Sequence, residues 1–174
     1  MKIETELVRS ARLGDKESFA KVYDQVAADL YKVALYTLGN AHDAEDVVSE
    51  TFIEAYKGIK NLRDDTSFKP WIMRILSIRC KRRIGSYVKE KGNIDIEECI
   101  NAPAQEGDLA SDTSEKVTVF QALESLSEQE RLIISLAVMQ GYTTREVSEM
   151  LNIPHGTVSS KLHRSLIKLR KILE

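Results

Sequence analysis

The chain has 174 residues, 43% of them hydrophobic, with 25 Lys and Arg against 27 Asp and Glu for a net charge of −2. That length supports one medium domain or two small helical ones, and it contains no apolar run of the roughly 18 residues needed to cross a bilayer. Two cysteines, Cys80 and Cys99, lack CxxC spacing, and three histidines, His42, His155 and His163, are scattered, so neither a disulfide framework nor a zinc site is signalled.

Charge counted by segment says more than the total. Residues 1–92 carry 17 basic and 14 acidic side chains, net +3; residues 93–115 carry 0 and 7, net −7; residues 116–174 carry 8 and 6, net +2. Two mildly basic halves are joined by an acidic strap. Both halves have few Gly or Pro and helix-period apolar residues, with no alternating strand pattern. The expected fold is all-α: a helical domain over 1–92, an acidic flexible linker over 93–115, and a second helical domain over 116–174. The first residues show no signal-peptide pattern, so a cytoplasmic protein without membrane insertion is expected.

In the first half, Asn40 is expected to close one helix and Asp43 to open the next. Over 43–59, DAEDVVSETFIEAYKGI, a helical period puts Asp43, Asp46, Glu50, Glu54 and Lys57 on one side. Ala44, Val48, Phe52, Ala55 and Ile59 take the other, and Ile53 points outward beside the acids. Four carboxylates with an exposed isoleucine suit docking of a basic protein partner; a merely solvated acidic face has the same pattern. Carboxylates at this spacing also hold metals in helical enzymes, but that chemistry needs further inward-facing histidines. The other two lie in the last helix, so no metal, cofactor or catalytic residue is assigned.

Residues 68–91, FKPWIMRILSIRCKRRIGSYVKEK, carry eight Lys or Arg and one acid, Glu90. Arg74, Ser77 and Lys81 project to one side and Phe68, Ile72, Ile75 and Leu76 to the other, which suits a nucleic-acid surface. Phe68 and Trp71 either stack an unpaired base or belong to the core, the commoner fate of aromatics at this spacing. The strap that follows, NIDIEECINAPAQEGDLASDTSE, has turn residues, seven acids and no sustained apolar period, and reads as a linker.

After the strap, helices are expected near 114–125, 128–140, 144–151 and 155–172. Ser127 with Glu130 and Thr143 with Glu146 form capping boxes, and Gly141 suits the residue that ends the helix between them. Helix 144–151, the turn Asn152-Ile153-Pro154 and the longer basic helix make a helix-turn-helix, with Asn152 in a left-handed conformation. On the last helix Val158, Leu162, Leu166, Leu169 and Leu173 face inward. Gly156, Ser160, His163, Arg164, Ile167 and Lys171 lie opposite, flanked by Ser159 and Lys161. Gly156 leaves room for a phosphate at the helix start, and Ser160, His163 and Arg164 are placed to reach base edges.

DAEDVVSETFIEAY, FKPWIMRIL, LSEQERLIISL and YTTREVSEMLNIPHGTVSSKLHRS occur in the order and spacing of bacterial sigma factors of the extracytoplasmic-function (ECF) group, in the sigma-70 family. The chain resembles that family over nearly its whole length. The resemblance implies a non-catalytic RNA polymerase subunit with two helical domains, region 2 at 1–92 and region 4 at 116–174. It implies that Asp46, Ser49, Glu50, Phe52 and Tyr56 dock on the β′ clamp helices of the core polymerase, and that region 4 meets the β flap. It implies that Phe68, Trp71, Arg74, Ser77 and Lys81 serve −10 capture and opening. It assigns Gly156, Thr157, Ser159, Ser160, Lys161, His163 and Arg164 to the −35 element of promoter DNA, and adds an anti-sigma factor as a partner. The linker would run through the core enzyme towards the RNA exit, a path its acidity suits; a plain tether is the simpler alternative. The chain departs from common family residues at Ser77-Ile78, usually Arg-Asn, at Arg82, usually an acid, at Lys161, usually Arg, and at Ser165, usually Ala.

The C-terminal half alone would also fit the output domain of a response regulator, which acts as a self-sufficient helix-turn-helix regulator. Its usual partner is a βα receiver domain, and residues 1–92 show no strand pattern. Charge also argues against binding alone: specific DNA modules gain much of their affinity from phosphate neutralisation, and +2 on the C-terminal half is small. Two weak sites linked on one polymerase would add through effective concentration.

Overall fold

The computed structural model describes residues 3–90 and 114–174. The acidic strap predicted at 93–115 lies outside the described residues except for Ser114 and Glu115, which begin a helix. The described residues are helical with short turns. The first half runs α1 (Thr5–Arg12), α2 (Lys16–Leu38), α3 (Ala41–Gly58), two single 3-10 turns (Ile59–Asn61 and Asp65–Ser67) and α4 (Phe68–Glu90).

Local chemistry sets the boundaries. Asp15 opens α2 by accepting the Glu17 and Ser18 N–H groups at 3.3 and 3.2 Å. The junction of α2 and α3 differs from expectation by one residue and one role. Gly39 closes α2 in the left-handed region at φ 70°, while Asn40 opens α3 by accepting the Asp43 N–H at 3.0 Å. Glycine adopts that φ without steric penalty, which frees the asparagine side chain to cap.

The predicted inner face of α3 is buried: Ala44, Val48, Phe52, Ala55 and, just beyond it, Ile59. It packs on α2 and α4. The two 3-10 turns are held by α1 through a buried carboxylate. Asp65 receives Arg9 Nε at 3.2 Å and Arg12 Nε at 3.0 Å, and Arg12 Nη1 donates to the Leu62 carbonyl at 3.0 Å. Gly58 lets the Trp71 ring pack close against the chain there, since a Cβ would come within 3.2 Å of it.

The second half runs α5 (Ser114–Glu124), α6 (Glu128–Ile134), a π turn (Ser135–Met139), α7 (Thr144–Leu151) and α8 (His155–Leu173). Both capping boxes form, with the Ser127 N–H on Glu130 Oε2 at 3.0 Å and the Thr143 N–H on Glu146 Oε2 at 2.7 Å. The helix predicted over 128–140 thus begins as expected but widens into the π turn before Gly141, at φ 75°, ends it.

The halves are not separate bodies. One buried cluster joins Leu30, Phe68, Ile72, Leu76 and Ile84 of the first half with Leu132, Leu136, Val147, Leu151 and Val158 of the second. Helix α2 meets α6 and the π turn, and α4 meets α6 and α7. Arg131, 4% exposed, lies against the end of α2: its Nη1 is 2.9 Å from where a Gly39 Cβ would sit, and its Nε donates to the Leu126 carbonyl at 3.1 Å. Burial pushes the Arg131 pKa down. The last turn of α2 has no basic residue of its own, and the guanidinium supplies positive charge at that helix end. Tyr36, also in that last turn, stacks on Phe120 of α5 with centroids 4.6 Å apart.

Candidate nucleic-acid interface

The helix-turn-helix is fixed from within. Asn152 ends α7 at φ 51° and ψ 53°, the left-handed conformation that Asn tolerates. Ser148 donates its hydroxyl to the Ile153 carbonyl at 2.6 Å, and Thr144 Oγ1 and His155 Nε2 lie 2.8 Å apart, tying the starts of α7 and α8 together. Pro154 provides no side-chain cap to α8, and the space around Gly156 is open for 4 Å from its Cβ position. The first turn of α8 is therefore accessible to an anion such as a phosphate.

Along α8, Gly156, Ser160, His163, Arg164, Ile167 and Lys171 are exposed, as the helical period predicts, and Thr157, Ser159 and Lys161 are half-buried. Burial pushes the Lys161 pKa down, the first of several influences on it. Arg164 Nε donates to the Ser160 carbonyl at 3.3 Å, which lays the arginine stem along the helix towards the reading residues. The inner face is narrower than expected. Val158 and Ser165 are buried, and Leu162 and Leu169 pack against Leu123, Leu126 and Ile134, but Leu166 and Leu173 are exposed. The flank of α8 that meets α5, α6 and α7 is covered, and the two leucines at the edge of the apolar stripe stay outside. Ser165 is wholly buried on the packed side, where a small residue fits.

On α4, Arg74 and Lys81 are exposed and Ser77 is wholly buried, its hydroxyl donating to the Met73 carbonyl at 2.8 Å. The sequence placed Ser77 with the two cations; the structure puts Ile78 at the surface between them and Ser77 behind. Phe68 is 1% exposed and belongs to the core, while Trp71 is half-buried with its ring 5.7 Å from that of Phe68. Arg74, Lys81, Arg82 and Lys89 line a cleft of about 600 Å³ whose opposite wall is Met150, Leu151 and Asn152 at the end of α7. A second cleft of about 520 Å³ lies between Arg63, Trp71 and Arg74 on one side and Glu146, Glu149 and Met150 on the other.

The acidic row of α3 is exposed at Ser49, Glu50, Ile53 and Glu54, with Asp46 half-buried, and Tyr56 stands at the surface with its edge on Phe19, 5.1 Å between centroids. Phe52 turns inward against Tyr23 at 4.2 Å. Sequence reasoning missed what faces this row. Arg79 of α4 pairs with Glu50 at 3.2 Å and Glu54 at 2.5 Å, and Arg83 pairs with Asp43 at 3.3 Å and Asp46 at 3.5 Å. Tyr87 adds a hydrogen bond to Asp43, and burial, with that bond next, pushes the phenol pKa up. The four-residue spacing of Arg79, Arg83 and Tyr87 was a readable signal that one side of α4 differs from the Arg74 and Lys81 side. Among the described residues, no three His, Cys, Asp or Glu side chains converge as a metal site.

Two family profiles match the chain, Sigma-70 region 2 over residues 22–89 and Sigma-70, region 4 over residues 122–171. The ECF RNA polymerase sigma factor SigW of Bacillus subtilis is 29% identical over 176 residues, covering 95% of this chain and 94% of that protein. The ECF RNA polymerase sigma-E factor of Haemophilus influenzae is 27% identical over 174 residues, covering 91% and 89%. Among solved structures, CnrH in complex with the cytosolic domain of CnrY shares the fold at a TM-score of 0.65 and 19% identity, over 97% of this chain and 96% of that one. The sigma factor RpoE in complex with the anti-sigma factor NepR from Bartonella quintana does so at 0.65 and 21%, over 90% and 97%.

Proposed function

This chain belongs to the extracytoplasmic-function sigma factors of the sigma-70 family, and from that membership we propose a role for each of its exposed faces. It is an RNA polymerase sigma factor, which binds the core enzyme and directs initiation at specific promoters. The family contributes binding rather than bond-making, and the proposal for this chain is likewise that it carries no chemistry of its own. No helix among the described residues is long and apolar enough to cross a membrane, and the proposed place of action is the cytoplasm, with the polymerase.

Region 2 is taken to extend over 1–92 and region 4 over 116–174, joined by the acidic strap. Helix α3 docks on the β′ clamp helices through Asp46, Ser49, Glu50 and Tyr56, with Phe52 holding the helix from inside. Helix α4 serves the −10 element: Arg74 and Lys81 meet the backbone, Trp71 offers a stacking edge, and Phe68 and Ser77 support them from the core. Helix α8 reads the −35 element with Ser160, His163 and Arg164, while Gly156, Thr157, Ser159 and Lys161 meet phosphates. The exposed apolar residues late in α8, Leu166, Ile167, Ile172 and Leu173, suit the β flap, and an anti-sigma factor is the further partner.

The observation that carries this is the pairing, in one chain, of an exposed acidic face on α3 with an exposed hydroxyl, imidazole and guanidinium face on α8. A self-sufficient regulator has use for the second but not the first. Run-off transcription on genomic fragments with isolated core enzyme tests the reading. Transcripts that need both core and this protein are expected, with co-elution of the two on gel filtration; DNA binding with neither outcome would favour the regulator.

A further inference from the structure

Gly85 lies inside α4, where glycine is less favourable than alanine, and packing does not require it: a Cβ there would meet nothing within 4 Å. Its effect is to keep open the floor of the cleft of about 600 Å³ between α4 and the end of α7. That cleft has one sign of charge. Arg74, Lys81, Arg82 and Lys89 line it, all four exposed, and no carboxylate does; the neighbouring cleft sets Asp64, Glu146 and Glu149 beside its arginines. The wall opposite the cations is largely apolar, with Met150 and Leu151.

The two walls are tied together at one point. Lys81 Nζ donates to the Leu151 carbonyl at 3.1 Å, and an ammonium has further N–H groups for an anion. Beside this bond lies a crevice of about 40 Å³, which shares Lys81, Gly85 and Leu151 with the cleft and is lined beyond them by Ile84, Leu132 and Gln129. Gln129 is 8% exposed, and its Oε1 has no hydrogen-bond partner among the described residues. A crevice of that volume holds a group the size of a water molecule or an amine, not an aromatic ring.

We propose that this cleft is a binding site for a nucleoside triphosphate whose base carries an exocyclic amine. Its volume is that of a small-molecule site, and apolar walls with a few convergent polar groups are the usual make-up of one. The phosphates take the cations, which a triphosphate matches in charge. The base lies over Gly85 against Met150 and Leu151, and its amine enters the crevice to donate to Gln129 Oε1. Each feature accounts for one part of the ligand, and the open floor at Gly85 admits the ring. Arg74 and Lys81 also belong to the −10 surface proposed above, so a bound nucleotide competes with a promoter strand for those two side chains. The site itself stands apart from that reading, since Gly85, Arg82 and Gln129 have no part in it.

Titration calorimetry of the full chain with ATP, GTP, ITP and tripolyphosphate tests this. ITP lacks the amine of either of the other two nucleotides, and tripolyphosphate lacks the nucleoside. Saturable one-to-one binding of ATP or GTP is expected, about fivefold or more tighter than ITP and tripolyphosphate. Gly85→Leu fills the floor and is expected to weaken nucleotide binding about tenfold or more, with Tm unchanged or raised because leucine is the better helix former and the space is open. Gln129→Leu is expected to abolish the preference over ITP, and Arg82→Ala to weaken all four ligands alike. The proposal is overturned if neither ATP nor GTP binds saturably, or if both Gly85→Leu and Arg82→Ala bind as the parent does. It is overturned equally if tripolyphosphate or ITP binds as tightly as ATP and GTP, since the cleft then takes an anion without reading a base.

Discussion

Arg79 of α4 holds Glu54 of α3 with two nitrogens, Nε at 2.9 Å and Nη2 at 2.5 Å. The hydrogen bonds to Glu54 are the first cause of a raised Arg79 pKa. With Nη1 on Glu50 at 3.2 Å, one guanidinium spans two carboxylates of the face proposed for the polymerase. The face is thus a fixed array of acids partly neutralised from behind, and its geometry depends on α4 as much as on α3.

Glu50→Lys places a cation beside Arg79 in the middle of that array. Core binding is expected to weaken by about 2 kcal/mol or more, some thirtyfold in Kd, with helicity by circular dichroism unchanged. Equal co-elution of variant and parent with core would remove α3 from the docking surface.

Arg74→Ala with Lys81→Ala tests the other side of α4. Open-complex formation on duplex promoters is expected to fall more than on templates with a premelted bubble, because these side chains hold a strand that must first be separated. A loss of equal size on both templates would make the surface a phosphate contact without a part in opening.

On α8, Arg164→Ala is expected to lower promoter affinity. Changes at Ser160 or His163 are expected to alter the preferred −35 bases, each contact being worth about 1–3 kcal/mol. Selection from randomised −35 elements measures both; unaltered preference in the Ser160 and His163 variants would move base reading to other residues.

Ser165 is wholly buried and its hydroxyl has no hydrogen-bond partner among the described residues. An unsatisfied buried hydroxyl costs about 1–3 kcal/mol, so Ser165→Ala is expected to stabilise the fold, raising Tm by about 2–4 °C per kcal/mol without changing promoter choice. A lower Tm would show that the hydroxyl is satisfied in solution.

The features legible in the sequence are those whose causes lie within a few residues. Ser127 with Glu130 and Thr143 with Glu146 cap their helices because a hydroxyl and a carboxylate three residues apart reach each other's backbone N–H in any context. Asn152 takes its left-handed turn, and the period of α8 sets Ser160, His163 and Arg164 on one side, for equally local reasons. The buried face of α3 follows from the same period.

Other features needed a second element to decide them. Ser77 and Lys81 share a side of α4 by period, yet Ser77 is covered and Lys81 is not, because neighbouring helices fix where the buried edge falls. Leu166 and Leu173 continue the apolar stripe of α8 but lie beyond the reach of α5 and α6. The sequence gives Arg79 and Arg83 only as members of a basic run; the packing of α4 on α3 makes them partners of the acidic row. The sequence by itself determined the helices, their caps, the turn and the charge of each face. Only the tertiary structure decided which faces meet, above all that α7 lies against the basic side of α4, since that choice depends on contacts between residues some 70 positions apart for which no local spacing carries a signal.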